Sequence, residues 1–182
     1  LSKFFLIHSA VLIIPSSRST LALKPKISSD VSTEGILNSI SADNANGSYS
    51  FTNSSFIGGI ATGDGGGFSL SSGVFTLKNC TIESNGAGTD GGGIVDNDNQ
   101  NSITIINCTI ANNTATAGNG GGFVSYDDGT TGVASVTNTI IANNTAIGTG
   151  NDLYVPEGSF TVNAHNLIEG CGVGGLALVR QL

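Results

Sequence analysis

One stretch of this chain recurs several times, and this repetition restricts the fold more than any other feature of the sequence. In its clearest copy, residues 75–94, an asparagine follows a short alternating run, and three glycines and an apolar residue come later. The equivalent asparagines are Asn53, Asn79, Asn107, Asn138 and Asn166, separated by 26, 28, 31 and 28 residues. Self-similarity at a period of about 20–50 residues indicates a repeat architecture, in which each unit packs against the next.

Each repeat predicts three short strands and no helix. Apolar and polar residues alternate before the asparagine, as at Phe75 and Leu77, and again after it, as at Cys80 and Ile82. Such alternation is typical of strands with one buried side. The asparagine interrupts the phase, so we place it at a corner between two strands, where Asn tolerates the left-handed conformation. The triple glycine then begins the third strand, because glycine permits a tight bend.

Units of this kind predict an all-β fold, a parallel β-helix or β-solenoid of about four to five coils. Coils would stack at about 4.8 Å, so that each residue lies on its equivalent, as Ile82 on Ile110. We expect Asn79 and Asn107 to be buried at their corners, with side-chain amides bonded to neighbouring coils. Propeller repeats are longer and four-stranded, and the leucine-rich pattern is absent from the sequence.

The repeated Asn-Cys-Thr-Ile, Asn-Asn-Thr-Ala and Gly-Gly-Gly-Ile/Phe segments resemble the right-handed parallel β-helix proteins of bacterial surfaces, which share the pectate-lyase-like fold. The copies are also similar to the Phe-x-x-Asn and Gly-Gly-x-Ile repeats of polymorphic outer-membrane passenger domains. Residues 138–146, 152–154 and 166–168 are similar to the end of β-helix domains in choice-of-anchor surface proteins. The resemblance covers residues 49–176 and implies a right-handed solenoid that continues beyond Leu182 before a surface anchor.

Three segments are expected along the chain. Residues 1–22 join Lys3, an apolar run and a small-residue end, a pattern typical of a secretory signal peptide, although Arg18 counts against it. An apolar cap or first coil is the alternative. Residues 23–48 would form an irregular N-terminal coil, cap or linker, and residues 49–182 the β-helix, truncated at its C-terminal end. The apolar run is shorter than the roughly 20 residues of a membrane-spanning helix.

Charge is distributed unevenly along the sequence. Residues 1–26 carry +4 and the remainder carries −11, which gives the net charge of −7. A surface this acidic disfavours nucleic acid, whose phosphates are bound by Lys and Arg. It suits an extracellular or cell-surface protein and can attract divalent cations.

Two acidic loops are candidate cation sites. Asp96 and Asp98 lie in one loop and Asp127 and Asp128 in the next, and stacking would bring these loops side by side. Carboxylate and amide oxygens suit calcium, which takes about six to eight oxygen ligands. The EF-hand spacing is absent, and solvated acidic loops without a cofactor are the alternative.

Two cysteines hold equivalent inward positions in consecutive units. Cys80 and Cys108 are predicted to be stacked buried thiols that act as small apolar residues, or to form an inter-coil disulfide. Cys171 lies in a glycine-rich segment and is expected to be unpaired.

Four threonines form a candidate binding face. Thr76 is predicted to stack with Thr104, and Thr81 with Thr109, all pointing outward. Regular threonine arrays on a solenoid can bind ice or crystalline carbohydrate. Because strands favour β-branched residues in any case, ordinary outward threonines are the alternative.

No catalytic residues are predicted. Pectate-lyase-like enzymes place a basic residue beside calcium, yet no arginine occurs between Arg18 and Arg180, and Lys78 is the only lysine after Lys26. The Gly-His-Gly and Arg-x-Lys motifs of polygalacturonase-like hydrolases are also missing. We therefore predict a secreted or cell-surface, non-catalytic stalk or adhesin-like passenger that contacts an extracellular glycan or a surface protein. The alternatives are a polysaccharide lyase or hydrolase-like β-helix with a degenerate or missing active site, and an ice- or crystalline-carbohydrate-binding solenoid.

The C-terminal residues 176–182 form an apolar, strand-like run. A β-helix must cover its final coil, because the last strands present unpaired N–H and C=O groups. The sequence shows no amphipathic helix or charged closing strand there, so we expect self-association through an open C-terminal coil.

Overall fold

The computed structural model describes residues 32–33, 40–97, 102–126, 133–156 and 160–173. This part of the chain contains nineteen strands and no helix. The signal peptide predicted for residues 1–22 lies outside the described residues. β2 begins at Ile40, inside the segment 23–48 that was predicted to be an irregular coil, cap or linker.

The strands pair in parallel throughout and stack as a β-solenoid of about four turns, so the predicted fold class is confirmed. In chain order they are β1 (Ser32–Thr33), β2 (Ile40–Thr52), β3 (Ser55–Ile57), β4 (Ile60–Ala61), β5 (Phe68–Lys78), β6 (Thr81–Glu83), β7 (Gly86–Ala87), β8 (Ile94–Asp96), β9 (Ser102–Ile106), β10 (Thr109–Ala111), β11 (Thr114–Ala115), β12 (Phe123–Ser125), β13 (Val133–Thr137), β14 (Ile140–Ala142), β15 (Thr145–Ala146), β16 (Leu153–Val155), β17 (Phe160–Val162), β18 (Leu167–Ile168) and β19 (Cys171–Val173).

Three sheets form the sides of the solenoid. Sheet A has the order β1-β3-β6-β10-β14-β18, and sheet C has the order β15-β11-β7-β4. Sheet B has the order β17-β13-β9-β5-β8-β12-β16-β19, with β2 also paired to β5. The strand after a triple glycine and the strand before the next corner asparagine both join sheet B, and in β5 they form one continuous strand. The sequence did not predict the strands of sheet C, because a strand of two residues is too short to show an alternating pattern.

Inward side chains stack in columns, as the repeat predicts. Ile110 pairs in register with Ile82 on one side and with Ile141 on the other, and all three side chains have 0% exposure. A second buried column contains Phe68, Ile94 and Phe123, which follow the glycine triplets, and Leu153 at the equivalent position. Burying one such side chain stabilises the fold by about 1.5–3 kcal/mol, so these columns are the main apolar contribution to the solenoid.

The lack of space for side chains at the turn into sheet B explains the triple glycine. Gly91 has φ 65°, a conformation that costs other residues free energy. A Cβ atom on Gly92 would lie 2.5 Å from the carbonyl oxygen of Gly121 in the next coil, and one on Gly93 would lie 2.6 Å from that of Gly122. The first glycine of the triplet therefore supplies the turn, and the next two allow the following coil to approach.

The last triplet reads Gly150-Asn151-Asp152, and its two side chains cap sheet C. The described residues of the final coil pass from β18 to β19 without a strand in sheet C, so β15 is the edge of that sheet. Asn151 Oδ1 accepts the Ala146 amide at 3.1 Å, and Asp152 Oδ1 accepts the backbone and side-chain N–H groups of Asn144, each at 2.9 Å. These two side chains therefore cover the edge of sheet C. Residues 176–182 lie outside the described part of the chain, and self-association stays a prediction.

Candidate functional site

The corner asparagines form a hydrogen-bonded ladder on the outside of the solenoid. Asn53, Asn79, Asn107 and Asn138 have φ angles of 51°, 54°, 54° and 47°. The Nδ2 of Asn79 donates to Oδ1 of Asn53 at 2.8 Å, that of Asn107 to Asn79 at 3.1 Å, and that of Asn138 to Asn107 at 2.7 Å. The left-handed conformation and the amide bonds between coils agree with the expectation for this corner.

These asparagines are exposed, so the expectation that Asn79 and Asn107 are buried is wrong. The chain changes direction at the asparagine, and the next residue takes the inward position. We call the four residues Asn53, Asn79, Asn107 and Asn138 the outer ladder.

Asn166 does not belong to the outer ladder. Ile140 pairs with Leu167, which places His165, with φ 64°, opposite Asn138. Asn166 is buried one position later, and its Oδ1 accepts the amide of Thr139 at 2.8 Å. Repeat spacing varies by several residues, so sequence alignment could not exclude this shift by one position.

The inward position after each corner forms the inner column, which consists of Ser54, Cys80, Cys108, Thr139 and Asn166. The Sγ of Cys108 accepts the amide of Cys80 at 3.4 Å, and the Oγ1 of Thr139 accepts the amide of Cys108 at 3.1 Å. Each thiol also donates to the carbonyl two residues earlier, at 3.3 Å for Cys80 and 3.2 Å for Cys108. Ser54 and Thr139 make the same contact with their hydroxyl groups, each at 2.9 Å.

Both thiols of the inner column are free, with 2% exposure for Cys80 and 3% for Cys108. They act as polar members of the column, in positions that Ser and Thr fill elsewhere. The hydrogen bond from Cys108 lowers the pKa of Cys80, because it stabilises a thiolate there. The same hydrogen bond and burial raise the pKa of Cys108.

A second asparagine ladder, which the sequence reasoning missed, lies inside the solenoid. The inner ladder consists of Asn85, Asn113 and Asn144, with 2%, 0% and 5% exposure. The Nδ2 of Asn85 and of Asn113 each donates to Oδ1 of the next member at 2.9 Å, and each backbone amide donates to the same oxygen at 2.9 Å. These residues lie six positions after the corner asparagines, and the repeated Asn-Asn-Thr-Ala segments contained this signal.

The predicted threonine pairs are in register on two neighbouring sheets. Thr76 pairs with Thr104 in sheet B, and Thr81 with Thr109 in sheet A, all with half-buried side chains. In sheet B the pair belongs to a longer column of five residues across β2, β5, β9, β13 and β17. These residues, which we call the hydroxyl column, are Ser50, Thr76, Thr104, Ser135 and Thr161.

The hydroxyl column and the outer ladder lie on adjoining parts of the surface. β5 and β9 end one residue before Asn79 and Asn107, and β6 and β10 begin two residues after these asparagines. In sheet A the threonine pair is followed by Ile140, which is 44% exposed. The surface therefore offers rows of hydroxyl and amide groups at the strand spacing of about 4.8 Å.

Of the four predicted cation ligands, only Asp96 lies in the described residues. Asp96 ends β8 and is buried in register between Leu70 and Ser125, and its Oδ2 accepts the Ser125 hydroxyl at 3.0 Å. The placement of Asp96 in an exposed loop is therefore wrong, because it occupies an inward strand position. Asp98, Asp127 and Asp128 lie outside the described residues. Within the described ranges, no group of three or more His, Cys, Asp or Glu side chains could hold a metal ion.

A third polar stack lies before the glycine triplets, where Asp64 and Asp90 align. Asp64 Oδ1 accepts the amide of Asp90 at 3.1 Å, and Asp90 Oδ1 accepts that of Asn119 at 2.5 Å. Asp90 Oδ2 accepts the Tyr126 hydroxyl at 2.6 Å. Burial, and then the hydrogen bond to Asp90, raise the pKa of Tyr126 above its ordinary value. Backbone amides bond these aligned carboxylates and offset their mutual repulsion.

Comparison of the chain with protein-family models, with curated proteins and with solved structures finds no match. Among the described residues, no helix is long and apolar enough to span a membrane.

Proposed function

We propose that this chain is a secreted or cell-surface solenoid, a non-catalytic stalk or adhesin-like passenger that contacts glycans through the hydroxyl column and the outer ladder. The observation that carries the proposal is the in-register column of five outward Ser and Thr residues beside four exposed, mutually bonded asparagines. The resemblance of the repeats to bacterial surface β-helix proteins supports the same role.

The chemistry of this surface suits a neutral, hydroxylated polymer. Ser and Thr hydroxyls donate and accept hydrogen bonds, and asparagine amides offer both functions as well. The chain has only six basic residues, so a polymer with many negative charges would find few partners. A regular stack also presents the same contacts repeatedly, so several weak contacts along one polymer can add to a useful affinity.

The test is retention of the chain on insoluble neutral polysaccharides, with a panel of immobilised glycans as the second assay. The test variant replaces Thr76 and Thr104 by Val, which keeps the β-branched shape and removes two hydroxyl groups. The matched control replaces Thr114 and Thr145 by Val, because these two residues form an in-register pair on sheet C, away from the hydroxyl column. Each lost hydrogen bond is worth about 0.5–1.5 kcal/mol, so we expect about tenfold weaker retention for the test variant only.

Several results would overturn the proposal. Absence of retention on every glycan, or an equal loss in the control variant, would remove the hydroxyl column as a glycan-contacting surface. Inhibition of ice growth without glycan retention would favour an ice-binding solenoid. Release of soluble oligosaccharides from the polymer would contradict the non-catalytic role.

A further inference from the structure

We propose that Cys80 and Cys108 form a two-coordinate site for a soft monovalent metal ion, with Cu(I) as the ion that fits it. Thr81 pairs with Thr109, so the cysteines that precede them lie opposite each other on adjacent coils. Both thiols are free and buried in the inner column, with the Sγ of Cys108 3.4 Å from the amide nitrogen of Cys80. Two sulfur atoms therefore lie at the same corner of the interior, and they are not joined by a disulfide bond.

The spacing of the coils suits a metal ion better than a disulfide. Adjacent coils lie about 4.8 Å apart, and two collinear bonds as long as a zinc–thiolate bond, about 2.3 Å, would span about 4.6 Å. The coil spacing lies within the Cα–Cα range of a disulfide, about 4.4–6.8 Å, but a disulfide has Cβ atoms about 3.8 Å apart, so the two Cβ atoms would have to approach each other by about 1 Å. Backbone hydrogen bonds on both sides of the pair oppose such an approach: Thr109 donates to Cys80 at 2.9 Å, and Asn79 donates to Ile106 at 3.0 Å.

The remaining members of the inner column select the class of metal. Ser54 and Thr139 flank the two cysteines, and their hydroxyl groups are poor ligands for soft metals. Zinc takes four protein ligands in structural sites, and no group of three His, Cys, Asp or Glu side chains exists among the described residues. Two thiolates alone favour a soft ion with a low coordination number, and Cu(I) is selected by thiolate ligands.

Deprotonation would leave neither of the two nearest carbonyl acceptors of these thiols without a partner. The thiols of Cys80 and Cys108 now donate to the carbonyls of Lys78 and Ile106. The same carbonyls also accept backbone amides, Lys78 from Asn53 at 2.9 Å and Ile106 from Asn79 at 3.0 Å. On binding one Cu(I), both thiols release their protons to solvent, and the resulting bis-thiolate carries one negative charge. The amide of Cys80 still donates to the Cys108 sulfur and stabilises that charge.

The experiment is an anaerobic titration of the reduced, full 182-residue chain with Cu(I) buffered by a chromophoric chelator. We expect one tightly held Cu(I) per monomeric chain, and a copper X-ray absorption spectrum that shows two sulfur neighbours and no nitrogen or oxygen neighbour. Cys80→Ser and Cys108→Ser each remove one of the two ligands, so each should lower the apparent affinity by more than the roughly 10–100-fold typical of losing a residue that only supports a ligand. Both variants should fold, because Ser54 already fills the same column position. Cys171→Ser is the matched control and should bind as the wild type does.

Other outcomes would overturn the site. Unchanged Cu(I) affinity in Cys80→Ser or Cys108→Ser would show that copper binds elsewhere. Loss of binding in Cys171→Ser, or copper-dependent dimers in size-exclusion chromatography, would assign the sulfur ligands differently. Formation of a Cys80–Cys108 disulfide on mild oxidation of the metal-free chain, found by peptide mapping, would show that the coils approach and would favour a redox bond instead.

Discussion

The inner and outer ladders of this solenoid use the same side chain, asparagine, in opposite surroundings. In the inner ladder, Asn113 and Asn144 each accept two N–H groups of the preceding coil through one oxygen, and water has almost no access to them. Each described bond of the outer ladder joins two exposed amides at a left-handed corner, where water can replace a lost partner. The comparison shows that the number of hydrogen bonds does not measure their contribution to stability, which depends on whether a broken bond leaves a buried group unsatisfied.

The largest effect is expected from the centre of the inner ladder. Asn113→Ala removes the oxygen that accepts two N–H groups of Asn85, and it removes the amide that donates to Ile82 at 3.0 Å. Each buried group left without a partner costs about 1–3 kcal/mol, so the free energy of unfolding should fall by about 3 kcal/mol or more. Urea denaturation followed by circular dichroism measures this change.

The control for that variant is Thr114→Ala in the next residue. Thr114 is half-buried in sheet C, and its side chain makes no hydrogen bond in the described structure, so a loss below about 1 kcal/mol is expected. If Asn113→Ala cost no more than this control, the inner ladder would contribute little beyond packing.

The difference between the ladders also explains what the sequence could and could not reveal. The corner asparagines interrupt an alternating pattern, so their conformation and their stacking followed from local rules. Burial did not follow, because the sequence does not show which of two neighbouring residues, Asn79 or Cys80, turns inward at a corner. The inner ladder was missed because Asn113 follows Asn112 in a segment without alternation. The shift from Asn166 to His165 likewise depends on strand register, which repeat spacing alone does not fix.

The candidate surface was foreseen only in part. The threonine pairs could be predicted because each lies at the same distance from a corner asparagine. Asp96 was misplaced because an acidic residue beside asparagines suggests a loop, whereas the strand begun by the glycine triplet extends through it. The cap at Asn151 and Asp152 looked like a degenerate triplet. Its role follows from the missing strand of sheet C in the final coil, which leaves room for two side chains.

The end of the inner ladder gives the second, smaller effect. Asp152→Ala removes the acceptor of both N–H groups of Asn144 and of the Gly170 amide, which lies 2.6 Å from Oδ2. We expect a loss of about 2 kcal/mol, less than for Asn113, because water can reach an edge more readily than the middle of a stack. Thermal denaturation and urea titration measure the loss.

A substitution of Asn151, the neighbouring residue of the cap, distinguishes the effect of capping an amide from the effect of a buried carboxylate. Asn151 is exposed and accepts a single amide, so Asn151→Ala should cost less than about 1 kcal/mol. Equal losses for the Asn151 and Asp152 variants would show that burial of the carboxylate is unimportant. Light scattering on both variants also tests self-association, since an uncapped β15 presents unpaired backbone groups to another chain.

The smallest effect is expected from the outer ladder, where two substitutions of Asn107 separate its amide bonds from its backbone conformation. Asn107 has φ 54°, which glycine adopts readily, whereas alanine pays about 1–2 kcal/mol for a left-handed conformation. Asn107→Gly removes only the exposed bonds to Asn79 and Asn138, so we expect a loss of about 0.5 kcal/mol in urea denaturation, and about 1 kcal/mol more for Asn107→Ala. A loss in Asn107→Gly as large as in Asn113→Ala would contradict the distinction between the ladders, because it would mean that exposed amides stabilise the coils as strongly as buried ones.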